Sequence, residues 1–390
     1  MTVIQRREIL GGAVAASVLS ISGQAMASSM GDIREILRRR VDVEKVTVGM
    51  AAAVVSKSSL KVICYGRERL TDNHAVSGKT LFEIGSITKV FTALLLTSLA
   101  REGVLAIDDP VAKHLPADFV FPERDGRAIT LADLATHTSG LPRFPSFGLS
   151  FADFPSIDEY IGAVIEAAKL YSLPELKSWL ADFDLPRTPG SGWEYSNIGY
   201  ALLGLALAHR ADRPYEDLLK QRIFDQIGLD NTFLYPPARV AARLAEGHDA
   251  KLAPLLPYDG GIFAPAGALR STADDLARFM RAIMPGSGSP LEPSGNQLLQ
   301  MVRPAPQAGG KQALGWEVLP AQEGDYVSKD GVTSGQCATA VFDPAARRAV
   351  IVLSNTFPLF SSADTSPSGG GTGAGDLARH LLRPSIPLGI

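Results

Sequence analysis

Apolar segments near the two ends of the chain alternate with short polar turns. Residues 46–55 and 60–65 are apolar runs joined by a polar four-residue turn, which is typical of a β-hairpin. Residues 337–342 and 348–353 repeat this arrangement around a second polar turn. The pattern therefore predicts antiparallel strand pairs near both termini.

The middle of the chain carries helix-start signals instead. Thr130 precedes Asp133 by three residues, and Ser271 precedes Asp274 by three, which is the spacing of a helix capping box. Strands at both ends with helices between them indicate an α+β fold. We expect one antiparallel sheet of five or more strands, built from both termini, flanked by helices and interrupted by an all-helical region.

The expected division of the chain follows from these patterns. The sheet part should comprise about residues 28–105 and 259–390, and the helical part about residues 106–258. A cleft between two such parts is a usual place for an active site. The candidate chemistry should therefore lie where the two parts meet.

One predicted helix start carries that chemistry. Ser86 precedes Lys89 by three residues, directly before an apolar segment, so a helix that begins at Ser86 places both side chains on one face. The hydroxyl then lies at the positive end of the helix dipole, while apolar neighbours would lower the pKa of the ammonium group toward that of a useful base. The pair is chemically sufficient for acyl transfer, although serine and lysine at a simple helix cap show the same spacing.

Two more motifs follow in order along the chain. Tyr195 and Asn197 form Tyr-x-Asn, and Lys329 and Gly331 form Lys-x-Gly. The order Ser-x-x-Lys, Tyr-x-Asn, Lys-x-Gly resembles the signature of penicillin-recognising serine hydrolases. Tyr-x-Asn in the middle position is similar to the class C β-lactamase branch, which also includes D-alanyl-D-alanine peptidases and esterases. Three further stretches fit that branch, at residues 134–142, 271–276 and 314–317.

The resemblance implies a role for each catalytic residue. Ser86 would attack a carbonyl carbon, and Lys89 and Tyr195 would share its proton and later activate the hydrolytic water. A tyrosine with a pKa near 10 becomes useful only when neighbouring ammonium groups lower that pKa, and Lys89 and Lys329 are candidates for this effect. Which of the two partners is the base stays open.

The resemblance also implies how substrate is held. Asn197 would bind the acyl-side amide, and Lys329 would bind the substrate from the third motif. The backbone N–H groups of Ser86 and Val332 would form the oxyanion hole. Gly331 would allow the substrate to approach the strand edge closely.

Asp330 departs from the pattern in the third motif. Class C β-lactamases carry a threonine there, whose hydroxyl helps bind the substrate carboxylate. We therefore expect Asp330 to lie among the substrate-binding residues and to set the substrate preference. A carboxylate that faces the ligand would repel an anionic substrate, whereas one that points outward could pair with a lysine. We therefore expect a hydrolase of β-lactams or of the related D-Ala-D-Ala amide, acting through an acyl-enzyme on Ser86. A carboxylesterase and a peptidoglycan D-alanyl-D-alanine carboxypeptidase or endopeptidase are alternatives, and a non-catalytic binding module is the least favoured.

Composition excludes several function classes. The chain has 390 residues, of which 46% are hydrophobic and 20% charged, with a net charge of −3, which suits a large core and provides no electrostatic basis for binding nucleic acid or anionic membranes. The six histidines show no pair at ligand spacing, so we expect neither a metal nor another cofactor. We expect a monomer, without stable membrane insertion, that acts on a small-molecule or peptidoglycan-derived substrate.

The N-terminal residues predict an export signal. Arg6 and Arg7 precede a short apolar run, and an A-x-A pattern ends at Ala27. Residues 1–27 therefore read as a signal peptide cleaved after Ala27, and residues 28–390 as the catalytic domain in the periplasm or outside the cell. The twin arginines favour the Tat route, although Gln5 departs from the fuller Tat pattern and leaves ordinary secretion open.

Only two cysteines are present, Cys64 and Cys337. In an oxidising compartment such a pair can form a disulfide. In the family that the chain resembles, the two corresponding strands are separated by others in the sheet. We therefore expect two buried free thiols.

Overall fold

The computed structural model describes residues 32–154, 157–306, 309–357 and 373–388, so the predicted signal peptide lies outside the described residues. Within them, eight strands form one antiparallel sheet in the order β2-β1-β12-β11-β10-β9-β8-β7, and two further pairs, β3 with β6 and β4 with β5, are separate. The strands are β1 (Gly49–Ser56), β2 (Leu60–Gly66), β3 (Phe82–Glu83), β4 (Gly247–His248), β5 (Pro254–Leu255), β6 (Arg270–Ser271), β7 (Arg303–Ala305), β8 (Gly310–Gln312), β9 (Glu317–Leu319), β10 (Tyr326–Val332), β11 (Cys337–Asp343) and β12 (Arg348–Ser354).

The two termini meet in this sheet. β1 pairs with β12, with Met50 opposite Ser354, so the N-terminal and C-terminal hairpins form one continuous ladder. Both faces of β1, β11 and β12 are largely buried, whereas β2 at the sheet edge is mostly half-buried, and the apolar cores on the two faces are distinct. A strand that is covered on both faces has a nearly continuous apolar sequence, and such sequences predicted the terminal hairpins. The prediction of an α+β fold with an antiparallel sheet built from both termini is confirmed.

Helices cover both faces of the sheet. They are α1 (residues 32–38), α2 (Thr88–Arg101), α3 (Leu131–Ala135), α4 (Ile157–Leu170), α5 (Leu173–Asp182), α6 (Asn197–Arg210), α7 (Tyr215–Leu219), α8 (Asp225–Ile227), α9 (Ala238–Ala241), α10 (Ala264–Gly267), α11 (Ala273–Ile283), α12 (Glu292–Leu298) and α13 (Gly373–Leu382). Short 3₁₀ or π turns lie at Arg39–Val43, Gly85–Ile87, Val111–His114, Phe151–Asp153, Lys220–Phe224 and Gly261–Phe263.

α2 is the central helix of the larger core. Every residue from Thr88 to Thr97 is buried, so the helix is surrounded by protein on all sides. The helix starts directly after the turn that carries Ser86 and ends before Gly103, whose positive φ of 72° is typical of a helix stop. A buried helix start places Lys89 away from water.

One predicted helix cap is confirmed and the other is wrong. Thr130 and Asp133 form the capping box of α3. For α11 the cap is Thr272, whose side chain accepts a hydrogen bond from the Asp275 N–H, and not Ser271. Ser271 is held extended in β6 and its hydroxyl bonds that of Thr232 at 2.8 Å, so the helix begins one residue later than its sequence spacing suggested.

The thiols of Cys64 and Cys337 are both free, as predicted, and Cys337 is buried. Cys64 is only half-buried, so the prediction of a buried thiol is wrong at that position. They belong to β2 and β11, and β1 and β12 lie between these strands. No helix in the described part of the chain is both long enough and apolar enough to cross a membrane. In the same residues, no group of three or more His, Cys, Asp or Glu side chains is arranged to hold a metal ion.

Candidate active site

Ser86 lies on a tight turn that packs against the end of β10. Gly85 has a positive φ of 49°, and a Cβ added there would lie 2.4 Å from the Val332 backbone nitrogen. A Cβ added at Gly331 would lie 1.9 Å from the Ile84 carbonyl oxygen. Both glycines are therefore needed for the turn to reach the strand. The missing side chain at Gly331 makes room for this turn, rather than for the substrate as expected from the sequence.

Four of the predicted residues meet around the Ser86 hydroxyl. The Ser86 Oγ lies 2.6 Å from the Tyr195 hydroxyl and accepts a hydrogen bond from Lys89 Nζ at 3.0 Å. Lys89 also donates to Asn197 Oδ1 at 2.8 Å and to the Ala266 carbonyl at 2.6 Å. Its ammonium group thus has three acceptors although the side chain is fully buried. Ser86 itself is half-buried, so a substrate can reach it.

The start of α6 positions Tyr195 and Asn197. Ser196 caps the helix, since its Oγ accepts a hydrogen bond from the Gly199 N–H at 2.9 Å. The same hydroxyl donates to the Pro142 carbonyl at 2.8 Å, which ties the helix start to the stretch 134–142. Tyr195 precedes the cap and Asn197 follows it, so the cap orients both functional side chains.

Lys329 approaches the same cluster from β10. Its Nζ lies 5.0 Å from the centre of the Tyr195 ring and donates to Glu317 Oε1 at 3.2 Å. Both partners of this ion pair are buried. Burial alone would lower the pKa of Lys329, but the phenol of Tyr195 and the carboxylate of Glu317 together raise it. Lys329 therefore carries its charge at neutral pH.

The cations around Tyr195 change its acidity. Burial raises the pKa of the phenol, but the positive charges of Lys89, Lys329 and Arg143 outweigh burial and lower it to about 7. Burial is also the main effect on Lys89 and lowers its pKa to about 8, against the opposing effect of Tyr195. Because these two groups touch the same serine and interact strongly, their protons titrate as a coupled pair near neutral pH.

The free edge of β10 provides backbone donors beside Ser86. The Thr333 N–H donates to the Gln336 carbonyl at 3.0 Å, and antiparallel ladders alternate, so the next pair, Val332 with Cys337, is a non-hydrogen-bonded one. The Val332 N–H therefore points away from β11. Within the described residues, β9 pairs with β10 as far as Ser328, which leaves the following edge open. This placement agrees with the predicted oxyanion hole at Ser86 and Val332.

Comparison with known proteins places the chain in a family. The sequence model of the Beta-lactamase family matches residues 33–367. The chain belongs to the Beta-lactamase family. This confirms the resemblance that the three motifs carried and, with it, the prediction of an enzyme of the serine-hydrolase type.

Two relatives of this β-lactamase-family chain differ in name. A Beta-lactamase of Pseudomonas fluorescens is 26% identical over 318 residues, covering 80% of this chain and 81% of the relative. The D-alanyl-D-alanine-carboxypeptidase/endopeptidase AmpH of Escherichia coli K12 is 28% identical over 283 residues, covering 71% of this chain and 69% of the relative. The two relatives are thus about equally similar in sequence.

Solved structures share the fold of this family member. A class C β-lactamase from Rhodobacter sphaeroides superposes with a TM-score of 0.67 at 23% identity, covering 85% of this chain and 95% of that one. A β-lactamase/D-alanine carboxypeptidase from Yersinia pestis superposes with a TM-score of 0.71 at 23% identity, covering 91% and 98%. At this level of identity the superpositions show a common fold.

Asp330 does not join the cluster, so the expectation that it contacts substrate is wrong. Side chains alternate along a strand, and Asp330 lies on the opposite face of β10 from Lys329. Its carboxylate accepts hydrogen bonds from Thr339 Oγ1 at 2.7 Å and from Arg379 of α13 at 2.6 Å. The side chains of Asp330 and Arg379 are only 7% and 11% exposed. Asp330 therefore fastens α13 to the sheet, through an arginine rather than the lysine that the sequence suggested.

Substitution Asp330→Asn should consequently weaken the fold rather than change the substrate. Loss of the carboxylate leaves the buried Arg379 guanidinium without its charged hydrogen-bond partner, which costs about 3–5 kcal/mol of unfolding free energy. Urea unfolding measures this change. The double substitution Asp330→Leu with Arg379→Met should recover much of the loss, because it removes both charges. A loss below about 1 kcal/mol for Asp330→Asn would show that the pair contributes as little as a surface ion pair.

Three neighbours of the site received no catalytic role from the sequence. His137 lies with its ring centre 4.5 Å from that of Tyr195, and its Nδ1 accepts a hydrogen bond from the Ser196 N–H at 3.2 Å. Burial and the nearby cations lower its pKa well below the usual value, so it stays neutral and adds no further charge. Glu317 is the last residue of the stretch 314–317. That stretch supported the family resemblance, but no role was predicted for the Glu317 carboxylate.

Arg143 is the third neighbour, and its guanidinium carbon lies 4.7 Å from the centre of the Tyr195 ring. The one signal for it in the sequence is its position directly after the stretch 134–142. That position does not reveal a stacking contact with a residue 52 positions further along the chain.

Proposed function

We propose that this protein hydrolyses a β-lactam, or the related D-alanyl-D-alanine amide, through an acyl-enzyme on Ser86. The observation that carries the proposal is the contact of one half-buried hydroxyl with both Tyr195 and Lys89, at 2.6 and 3.0 Å. A serine becomes nucleophilic when a base within hydrogen-bond reach takes its proton. The lowered pKa of Tyr195, about 7, makes such a base available at neutral pH.

Acylation would proceed in two proton transfers. The Ser86 Oγ attacks the carbonyl carbon while its proton passes to the Tyr195–Lys89 pair. The pair then delivers that proton to the leaving nitrogen, the C–N bond breaks, and an ester to Ser86 remains. The N–H groups of Ser86 and Val332 stabilise the negative oxygen that forms in between.

Deacylation would use the same groups in the reverse direction. A water molecule gives a proton to the Tyr195–Lys89 pair and attacks the ester carbon, and the proton returns to Ser86 Oγ as the ester bond breaks. The rate of deacylation determines which of two activities an enzyme with this fold has. Rapid deacylation of a β-lactam makes a β-lactamase, and slow deacylation makes a penicillin-binding peptidase.

Asn197 and Lys329 would hold the substrate. Asn197 Oδ1 accepts a hydrogen bond from Lys89, so its amide NH₂ group can donate to the acyl-side amide of the substrate. Lys329 brings a positive charge to the open edge of β10, although Glu317 offsets part of it. The strand edge from Lys329 to Val332 would pair with the substrate backbone.

The position of Asp330 removes the expected electrostatic obstacle to an anionic substrate. A carboxylate in the cleft would have repelled the carboxylate of a β-lactam, but Asp330 is turned to Arg379 on the other face of the sheet. The electrostatic argument for a carboxylesterase therefore loses its basis. Action on peptidoglycan as a D-alanyl-D-alanine carboxypeptidase or endopeptidase is a second candidate, which the similarity to AmpH supports.

The site of action belongs to the same proposal. The A-x-A pattern at Ala25 to Ala27 and the preceding apolar run favour export and cleavage after Ala27. We therefore place the mature protein in the periplasm or outside the cell, as a monomer. N-terminal sequencing of exported material should begin at Ser28.

One set of assays tests the proposed activity. The mature protein is incubated with a fluorescent penicillin, with nitrocefin and with p-nitrophenyl butyrate, beside Ser86→Ala as the control. Nitrocefin turnover supports a β-lactamase, and slow, stable labelling by the penicillin supports a peptidase. Turnover of the ester alone would replace the proposal by a carboxylesterase. Absence of any reaction would contradict catalysis by Ser86 and leave a binding module.

A further inference from the structure

Arg143 is an exposed cation at the active-site cluster. Its guanidinium lies against the Tyr195 ring, 4.7 Å from the ring centre, and its side chain is exposed. The two lysines of the cluster already have partners, since Lys89 donates to three acceptors and Lys329 is paired with Glu317. For Arg143, in contrast, no carboxylate of the described residues lies within 4.0 Å of the guanidinium.

The backbone of Arg143 is fixed next to Asn197. The Arg143 carbonyl accepts a hydrogen bond from the Asn197 N–H at 3.0 Å, and the preceding Pro142 carbonyl accepts one from Ser196 Oγ. The guanidinium therefore extends from a clamped segment rather than from a free loop. A charge held at one place can select the position of an opposite charge on a ligand.

An aromatic wall follows directly after Arg143 in the chain. The rings of Phe144 and Phe263 meet edge to face at 5.3 Å, and those of Phe147 and Tyr171 at 5.2 Å. Phe144 and Phe147 are half-buried, so their rings are partly open to solvent. These rings form a partly exposed apolar surface on and around the segment that follows Arg143. This combination suits a group that has both an aryl or aliphatic body and a carboxylate.

We propose that Arg143 binds a carboxylate on the acyl side of the substrate. The inference rests on the proposed function, in which Asn197 holds the acyl-side amide. Arginine suits the task because its planar guanidinium keeps its charge and can donate two parallel hydrogen bonds to one carboxylate. The contact with the Tyr195 ring is not a hydrogen bond to an acceptor, so the N–H donors of Arg143 remain available to the ligand.

The test compares two penicillins that differ by one carboxylate. Carbenicillin is benzylpenicillin with an added carboxylate on the acyl side chain, and both carry the same ring carboxylate. In Arg143→Gln, the ratio of acylation rates for carbenicillin over benzylpenicillin should fall about 10- to 50-fold, the range expected for a charge-assisted hydrogen bond. Arg143→Lys should lose less. Arg187→Gln is the matched control, because Arg187 is already paired with Glu194 at 2.7 Å, and it should leave the ratio unchanged.

The ratio of acylation rates for carbenicillin over benzylpenicillin separates carboxylate binding by Arg143 from an indirect effect of Arg143 on Tyr195. Removing the charge of Arg143 also alters the acidity of Tyr195, but that change affects both penicillins alike and cancels in the ratio. An unchanged ratio in Arg143→Gln, with acylation still measurable, would overturn the proposal and leave the hydrolase function intact.

A pair of esters distinguishes failure of the proposed β-lactam activity from failure of the role proposed for Arg143. Mono-p-nitrophenyl glutarate carries an acyl-side carboxylate that p-nitrophenyl butyrate lacks. If neither penicillin reacts but Arg143→Gln lowers the glutarate-to-butyrate ratio, the β-lactam function fails and the role of Arg143 stands. If the ester ratio is also unchanged, or if no compound acylates Ser86, the role of Arg143 is overturned.

Discussion

Replacement of Lys89 by arginine should lower the acylation rate about 1000-fold, within the range usual for the loss of a general base or its partner. Lys89 is fully buried, with three acceptors at 2.6 to 3.0 Å, and burial lowers its pKa to about 8. Arginine keeps the charge but does not release a proton at neutral pH, and its larger head cannot satisfy the same three acceptors. Stopped-flow labelling with a fluorescent penicillin measures the rate.

The control for Lys89→Arg is the same change at an exposed lysine. Lys311 lies in β8 and its ammonium group contacts the exposed Asp325 at 3.4 Å. Lys311→Arg should leave acylation unchanged, and circular dichroism should show that Lys89→Arg is folded. A near-normal rate in folded Lys89→Arg would show that the lysine acts only through its charge.

Replacement of Tyr195 by phenylalanine should lower acylation by about 100- to 10,000-fold and also change the pH dependence. We predict that Tyr195 is the member of the Tyr195–Lys89 pair that accepts the serine proton. The rate of the parent should then rise with pH through about 7, the pKa to which the neighbouring cations lower the phenol against the effect of burial. A phenylalanine side chain has no hydroxyl to ionise, so this rising limb should be absent from the Tyr195→Phe variant. The pH–rate profile of acylation measures both effects.

A neighbouring tyrosine provides the control for Tyr195→Phe. Tyr200 is also buried, but it donates to the Ala135 carbonyl at 2.7 Å, and burial raises its pKa well above 10. In Tyr200→Phe, the rising limb of the pH–rate profile of acylation should remain near pH 7, as in the parent. Retention of the limb in Tyr195→Phe would instead assign that titration to Lys89.

The sequence predicted the features that depend on local spacing. Ser86 and Lys89 are three residues apart, so any helix that starts at the serine brings them together. Strands β1, β11 and β12 were visible because both of their faces are largely buried. Strands β7, β8 and β9 were not predicted, because each has only three residues and none is a continuous apolar run.

The features that were missed depend on tertiary contacts. Asp330 reads as a motif residue, yet its direction is set by the register of β10 and its partner is Arg379, 49 residues later. Arg143 reads as a polar residue after a proline, and only the packing of α6 brings it onto Tyr195. Gly331 was read as space for a ligand, whereas the Ser86 turn fills that space. Each case needs a contact that no local pattern contains.

The identity of the acylated residue tests the central claim most directly. The mature protein is mixed with benzylpenicillin, quenched in acid, digested and analysed by tandem mass spectrometry, beside Ser86→Ala. We predict one penicilloyl adduct, located on Ser86, and no adduct in Ser86→Ala. An adduct on any other residue, or one that persists in Ser86→Ala, would contradict Ser86 as the nucleophile.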